Sequence, residues 1–236
     1  MVPGERPREG ASTPGHRLIH GSIASTVDTA PLVHWGWVHR LWHWSFAAAI
    51  VVSSVTGFIG SIELMEWHVR SGVCVIVLLL FRFGWWCWGD PAVRLRQYRT
   101  SAARVWRQLR GRAGTTAPHT AAGAAMAIAL IGLVAVQAAS GLFASDDIVT
   151  DGPYARRVGA AGIDIANAFH TRVYVLIWVL AVVHVTAITW YALRGDPIAT
   201  SMGPATASAA PRQHWLRASL TLVAAIAIVW SVARWA

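Results

Sequence analysis

The chain contains no lysine: its 20 Lys-plus-Arg positions are all arginine, set against 11 acidic residues for a formal charge of +9. Charge of either sign is scarce, at 13% of 236 residues. Soluble domains carry about 25% charged residues, so an ordinary water-facing globule is excluded. An excess of arginine raises nucleic acid as a partner. The charges here alternate with long apolar runs, however, and that is the pattern of membrane topology, not of a nucleic-acid-binding face. Cysteine is limited to Cys74 and Cys87, both in one apolar segment. Thirteen residues of helix set them roughly 20 Å apart, too far for a disulfide. No CxxCH occurs, which excludes covalently attached haem of the c type, and no nucleotide-binding glycine motif occurs. What the chain does have is apolar residues, at 55%, and 14 tryptophans.

A membrane-spanning helix needs about 20 mostly apolar residues, and five such stretches stand between the charges. They run from Leu41 to Ile62, Ser71 to Trp88 with Arg82 inside, Thr120 to Ala144, Val173 to Leu193, and Trp215 to Trp235. Five spans leave too little polar chain to wrap them in water. The expected fold is an all-α integral membrane bundle of five transmembrane helices, a four-helix core plus one C-terminal helix. Residues 1–33, rich in Gly, Pro, Ser and Thr, read as a disordered tail with no signal peptide. Residues 34–202 form the core domain, and 203–236 are a linker and the fifth span.

Arginine-rich connections stay on the cytoplasmic side. With the N-terminus inside, the inner segments hold 14 arginines and the outer ones five. The N-terminus is therefore expected in the cytoplasm of a bacterial cell, the C-terminus outside its inner membrane. The longest external connection, Ser145 to Ala168, carries Asp146, Asp147, Asp151 and Asp164 beside Arg156 and Arg157.

Ionisable residues at membrane depth are costly and usually functional. His170 and His184 lie fourteen residues apart on the fourth span. That spacing is about 40° short of four full turns and about 21 Å of rise, so they share one face near opposite membrane surfaces. His43 sits near the inner end of the first span and His68 near the outer end of the second. Depth then pairs His68 with His170 and His43 with His184. Two imidazoles facing across a bundle are the axial set of a haem iron that carries electrons. Zinc would want three or four ligands at one point. Isolated buried histidines bonded to backbone or hydroxyls are the plainer alternative.

Around these positions Gly57, Gly72 and Gly141 are small enough for a porphyrin to lie against, although glycine also serves close helix packing. Arg40, Arg70 and Arg172 stand at helix ends beside the proposed ligands, where a guanidinium can pair with a carboxylate or simply anchor the interface. Arg82 follows His68 by fourteen residues, shares its face, and is expected to point into the bundle. Trp42 and Trp44 flank His43 and can line a pocket.

These residues together resemble the prokaryotic cytochrome b561 family, which includes hydrogenase b-type cytochrome subunits. The resemblance spans Leu32 to Met202. It rests on Arg40-Leu-Trp-His43-Trp44-Ser, Thr56-Gly57, His68 with Gly72, Phe81-Arg82-Phe-Gly-Trp-Trp-Cys-Trp-Gly89, His119 with Gly123, and His170 followed by His184. It implies two non-covalent bis-histidine b haems, on His43, His68, His170 and His184. It implies electron transfer between membrane quinone and a redox partner on the outer face: a hydrogenase, another dehydrogenase or a c-type cytochrome. Quinone is expected near Trp42, Trp44 and Arg40, and a homodimer is possible. The chain departs from the family at His39, one turn before His43 where an apolar residue is usual, and in its fifth span. His43 is preferred as ligand because a tryptophan follows it. The competing class is a membrane anchor or small transporter whose histidines relay protons. An oxidoreductase acting on quinone with a small oxidant or reductant is a third reading. No soluble catalytic domain is present to name a substrate.

Overall fold

The computed structural model describes residues 35–111, 120–146, 150–195, 202 and 214–234. The expected tail, His119, Asp147 and most of the linker lie outside them. Six helices follow in order: α1 Trp37–Ile59, α2 Ile62–Trp88, α3 Ala102–Leu109, α4 Ala121–Gly141, α5 Ala160–Leu193 and α6 Trp215–Ala233. All but α3 are long and apolar enough to cross a membrane. Among the described residues the regular structure is helical, with short 3-10 turns and one isolated bridge between Ser145 and Asp151. The chain is a multi-pass helical membrane protein.

Local chemistry sets the breaks. α1 ends at Gly60, whose φ of 66° is left-handed and whose N–H donates to Thr56 O. Only glycine adopts that conformation cheaply, and it lets the chain reverse straight into α2. α3 and α4 open on hydroxyl caps: Ser101 accepts from Arg104 N and Thr120 from Gly123 N, each satisfying an otherwise open donor.

The helices outrun the apolar stretches. α2 begins nine residues before Ser71, and α5 begins at Ala160, not at Val173. The expected external connection, Ser145 to Ala168, is thus helical over its last third. A search for charge-free runs measures apolar length. A helix keeps its hydrogen bonds past the bilayer surface, where charged residues such as Glu66 and Asp164 are exposed on its outer faces. At 34 residues α5 is about 51 Å long, against a hydrocarbon core of about 30 Å. The arginine-rich segment after α2 is not a plain loop either. It holds 3-10 turns at Pro91–Val93 and Leu95–Tyr98, then α3.

α1 packs along α2, and α4 along α5, forming two hairpins. α2 joins them through α4 and also carries α6, whereas α5 makes only slight backbone contact with α1 and α2. Trp42, Phe46, Val75, Leu79, Trp85, Ile131, Val134, Val173 and Ile177 form the core. The outer faces show Val51, Val55, Phe58, Leu176, Val179 and Val182, as lipid contact requires.

The α2–α6 seam is close. A Cβ on Gly84 would come 2.8 Å from Thr221 Cγ2, and Trp88 Nε1 donates to Thr221 Oγ1 at 2.9 Å. A small residue opposite a hydroxyl is how membrane helices approach each other. Just beyond the seam the buried Asp90 faces His214 Nε2 at 3.8 Å. Burial raises the Asp90 carboxyl above its ordinary range, opposed by His214, Arg217 and Arg94.

Candidate functional site

His68 of α2 and His170 of α5 meet across the two hairpins, ring centroids 6.0 Å apart and planes at 88°. Each ring is held by its Nδ1. His68 Nδ1 lies 2.7 Å from Ser53 O on α1, and His170 Nδ1 lies 3.0 Å from Gln137 O on α4. A carbonyl oxygen only accepts, so Nδ1 carries the hydrogen in both rings and Nε2 keeps its lone pair. That is the tautomer in which an imidazole ligates a metal through Nε2, with the Nδ1 bond fixing ring orientation and raising donor strength. Gln137 closes the arrangement by donating from Nε2 to His170 O at 2.9 Å, and Ser140 Oγ lies 3.3 Å from His170 Nδ1.

Two of the expected glycines explain how the rings fit. A Cβ on Gly57 would lie 2.6 Å from His68 Nδ1, and one on Gly141 would lie 2.8 Å from His170 Cε1. Each glycine lets the histidine of the paired helix lie against its own backbone. Gly72 has open space where a Cβ would stand.

His43 on α1 and His184 on α5 are both half-buried. His43 lies edge-on to Trp44, and its buried Nδ1 has no hydrogen-bond partner among the described residues. His39, one turn earlier, is buried and differently engaged. It stacks on Trp42, and its Nδ1 lies 3.2 Å from Arg82 Nη1. Since guanidinium only donates, this nitrogen of His39 accepts.

Arg82 does point into the bundle, and it is 1% exposed. Its Nη2 donates to Tyr98 Oη, and its guanidinium carbon stands 4.8 Å from the Trp42 ring centroid, 5.3 Å from Trp86 and 5.5 Å from Tyr98. The cation therefore sits in a cage of ring faces and neutral acceptors. Burial pushes the Tyr98 phenol up, countered by Arg82.

The remaining arginines have ordinary partners. Arg40 is buried beside the Trp37 ring. Arg70 pairs with Glu66 one turn away, both well exposed, and Arg172 leans on Ala168 O of its own helix. Trp42 is a core residue whose Nε1 donates to Leu78 O, whereas Trp44 is exposed and reaches Met202 O at 3.4 Å.

A family model described as prokaryotic cytochrome b561 matches residues 34–205. The chain belongs to the prokaryotic cytochrome b561 family. No curated protein and no solved structure matches it. Family membership makes the chain a b-type membrane cytochrome, an electron-transfer protein that binds haem b. Its residues fit that group: two histidines face each other with Nδ1 committed to carbonyls and Nε2 without a partner among the described residues. Among the described residues no cluster of three or more His, Cys, Asp or Glu could hold a metal ion.

Three site features escape a search for ligand spacing: Ser53, Gln137 and Tyr98. Gln137 carried a signal, being the one amide in the apolar run of α4. The Ser53 contribution is a main-chain carbonyl, which no residue type announces. Tyr98 sits beyond a span end and becomes relevant only once the chain folds back.

Proposed function

We propose that this cytochrome b561 carries two b haems, one on His68 and His170 and one on His43 and His184. On this reading it passes electrons between the quinone pool of a bacterial inner membrane and a redox partner, a hydrogenase, dehydrogenase or c-type cytochrome. The supporting observation is the 6.0 Å His68–His170 pair with both Nδ1 atoms bonded to backbone carbonyls. Bound haem iron supplies one-electron chemistry, set by its axial ligands and their hydrogen bonds.

The chain's own residues do the rest. Ser53 O and Gln137 O hold the outer imidazoles in one tautomer, and Gly57 and Gly141 admit them. The aromatic cage around Arg82 keeps a positive charge beside His43 and excludes water. Arginine-rich connections at the α1 start, the α2–α4 link and the α5–α6 link support an N-terminus inside. The partner then docks outside on the α4–α5 connection. Quinone exchanges at the inner level, beside the exposed Trp44 and near Arg40.

The test is a reduced-minus-oxidised visible spectrum of the purified chain with extraction and quantification of its haem. Two non-covalent haems per chain are expected, reducible by a quinol analogue. A colourless protein that still folds would end this reading in favour of a haem-free anchor or proton relay, and quinol reduction lost on altering the outer connection alone would move the quinone site outside.

A further inference from the structure

The link between α2 and α4 carries an eight-residue helix, α3, that is neither a span nor part of the core. At 100° per residue Ala102, Val105, Trp106 and Leu109 fall on one stripe about 100° wide, with Arg104 and Arg107 opposite. The stripe is not buried against protein. Trp106 is 55% and Leu109 68% exposed. The height of α3 is set by its neighbours, since it follows the end of one span and precedes the start of the next. Gln108 Oε1 accepts from Ala122 N in the first turn of α4, which places α3 at the level where α4 enters the bilayer. An exposed apolar stripe at that level faces the edge of the hydrocarbon.

The charge is one-sided. Arg94, Arg96, Arg99, Arg104, Arg107 and Arg110 occur between Asp90 and Asp146 with no acidic residue among them. Glu66 pairs with Arg70, Asp151 with Arg156 and Asp90 with His214; Arg94 of this link also acts on Asp90, and Arg104, Arg107 and Arg110 stand outside these pairs. Arg110 lies 4.2 Å above the Trp106 ring, so its charge sits over the apolar stripe at the lipid surface.

We propose that α3 and its arginines form a binding surface for the headgroups of anionic phospholipids in the surrounding bilayer. Trp106 and Leu109 enter the acyl boundary while Arg104, Arg107 and Arg110 gather lipid phosphates. This surface is independent of the haem reading. Lipid is favoured over an acidic protein because a protein partner offers no reason for an exposed Trp106 and Leu109 at the level where spans begin.

The full chain, purified and delipidated in detergent, is titrated with phosphatidylglycerol or phosphatidylcholine of identical acyl chains, and bound lipid is counted by native mass spectrometry. Arginine near an anionic surface gains about fivefold per residue, so a preference for phosphatidylglycerol of about tenfold or more is expected. The R104Q/R107Q/R110Q variant loses it with an unchanged thermal midpoint, while R156Q/R157Q at the other end keeps it. Should the triple variant fold poorly, high salt added to the wild-type chain is expected to erase the preference. Brominated phosphatidylglycerol is expected to quench the wild-type chain more than W106F. Equal affinity for the two lipids, or a preference that survives the triple substitution as it would if the arginines served an acidic protein, overturns the proposal.

Discussion

Single glycines decide whether the histidine rings can reach their places. A methyl group at Gly57 or Gly141 would fall within 2.8 Å of an imidazole atom, closer than side chains pack. On the two-haem proposal, Gly57→Ala and Gly141→Ala are each expected to remove about half of the bound haem, and so are His68→Ala and His170→Ala. His43→Ala and His184→Ala are expected to remove the other half. Difference spectra of each variant and of the pairs check this, and a spectral component lost from both His43 and His170 variants would break the pairing by depth. Tyr98→Phe takes one bond from a buried guanidinium, a loss of about 2 kcal/mol in stability, readable from denaturant unfolding in detergent. The meeting of His68 with His170 was legible in the sequence because a helix carries its period in its residue numbers. The carbonyls that fix the rings were not, since every residue owns one. His39 illustrates the same limit: spacing left it beside His43 as a rival, and only the folded chain shows its Nδ1 turned to Arg82.

At the scale of elements, the five spans were readable from apolar length, whereas their true ends and α3 were not. Hydropathy measures what a bilayer accepts, and a helix is limited by caps and hydrogen bonds. The seam between α2 and α6 offers a test of pH dependence. Asp90 has a raised pKa in the folded chain, so folding retains a proton that the unfolded chain gives up. Stability should then fall as pH climbs from the ordinary carboxylate range through the raised value, and level off above it. Asp90→Asn is expected to flatten that slope in a series of thermal unfolding curves. A Gly84→Leu side chain, directed at Thr221, is expected to detach α6 and break the Trp88 Nε1 bond to Thr221, seen as faster proteolysis of the last helix.

Across the whole molecule, charge is divided unevenly between the two ends. Around the His43 level stand Arg40, Arg82, Arg94 and the arginines of α3, with Asp90 the acidic residue nearby. Around the His68 level, Glu63, Glu66, Asp151 and Asp164 offset Arg70, Arg156, Arg157 and Arg172. Positive charge favours a reduced iron, and carbonyl-bonded imidazoles favour an oxidised one. On the two-haem proposal, the haem on His43 and His184 is thus expected to titrate at the higher potential, and Arg82→Leu to lower it towards the other. Equal or reversed midpoints in a potentiometric titration would contradict this, and a midpoint unmoved in Arg82→Leu would separate the caged cation from that iron. The long α5 helix adds one more consequence. His170 and His184 stand nearly equidistant from its midpoint, about 21 Å apart along an axis that crosses about 30 Å of hydrocarbon. Roughly 70% of the membrane voltage then falls between them. One elementary charge across the full bilayer is worth about 2.3 kcal/mol per 100 mV, so an electron shifted between the two levels exchanges about 1.6 kcal/mol with the field. With a haem at each level, as proposed, each 100 mV of membrane voltage would redistribute that electron about fifteenfold between the two ends of a single helix.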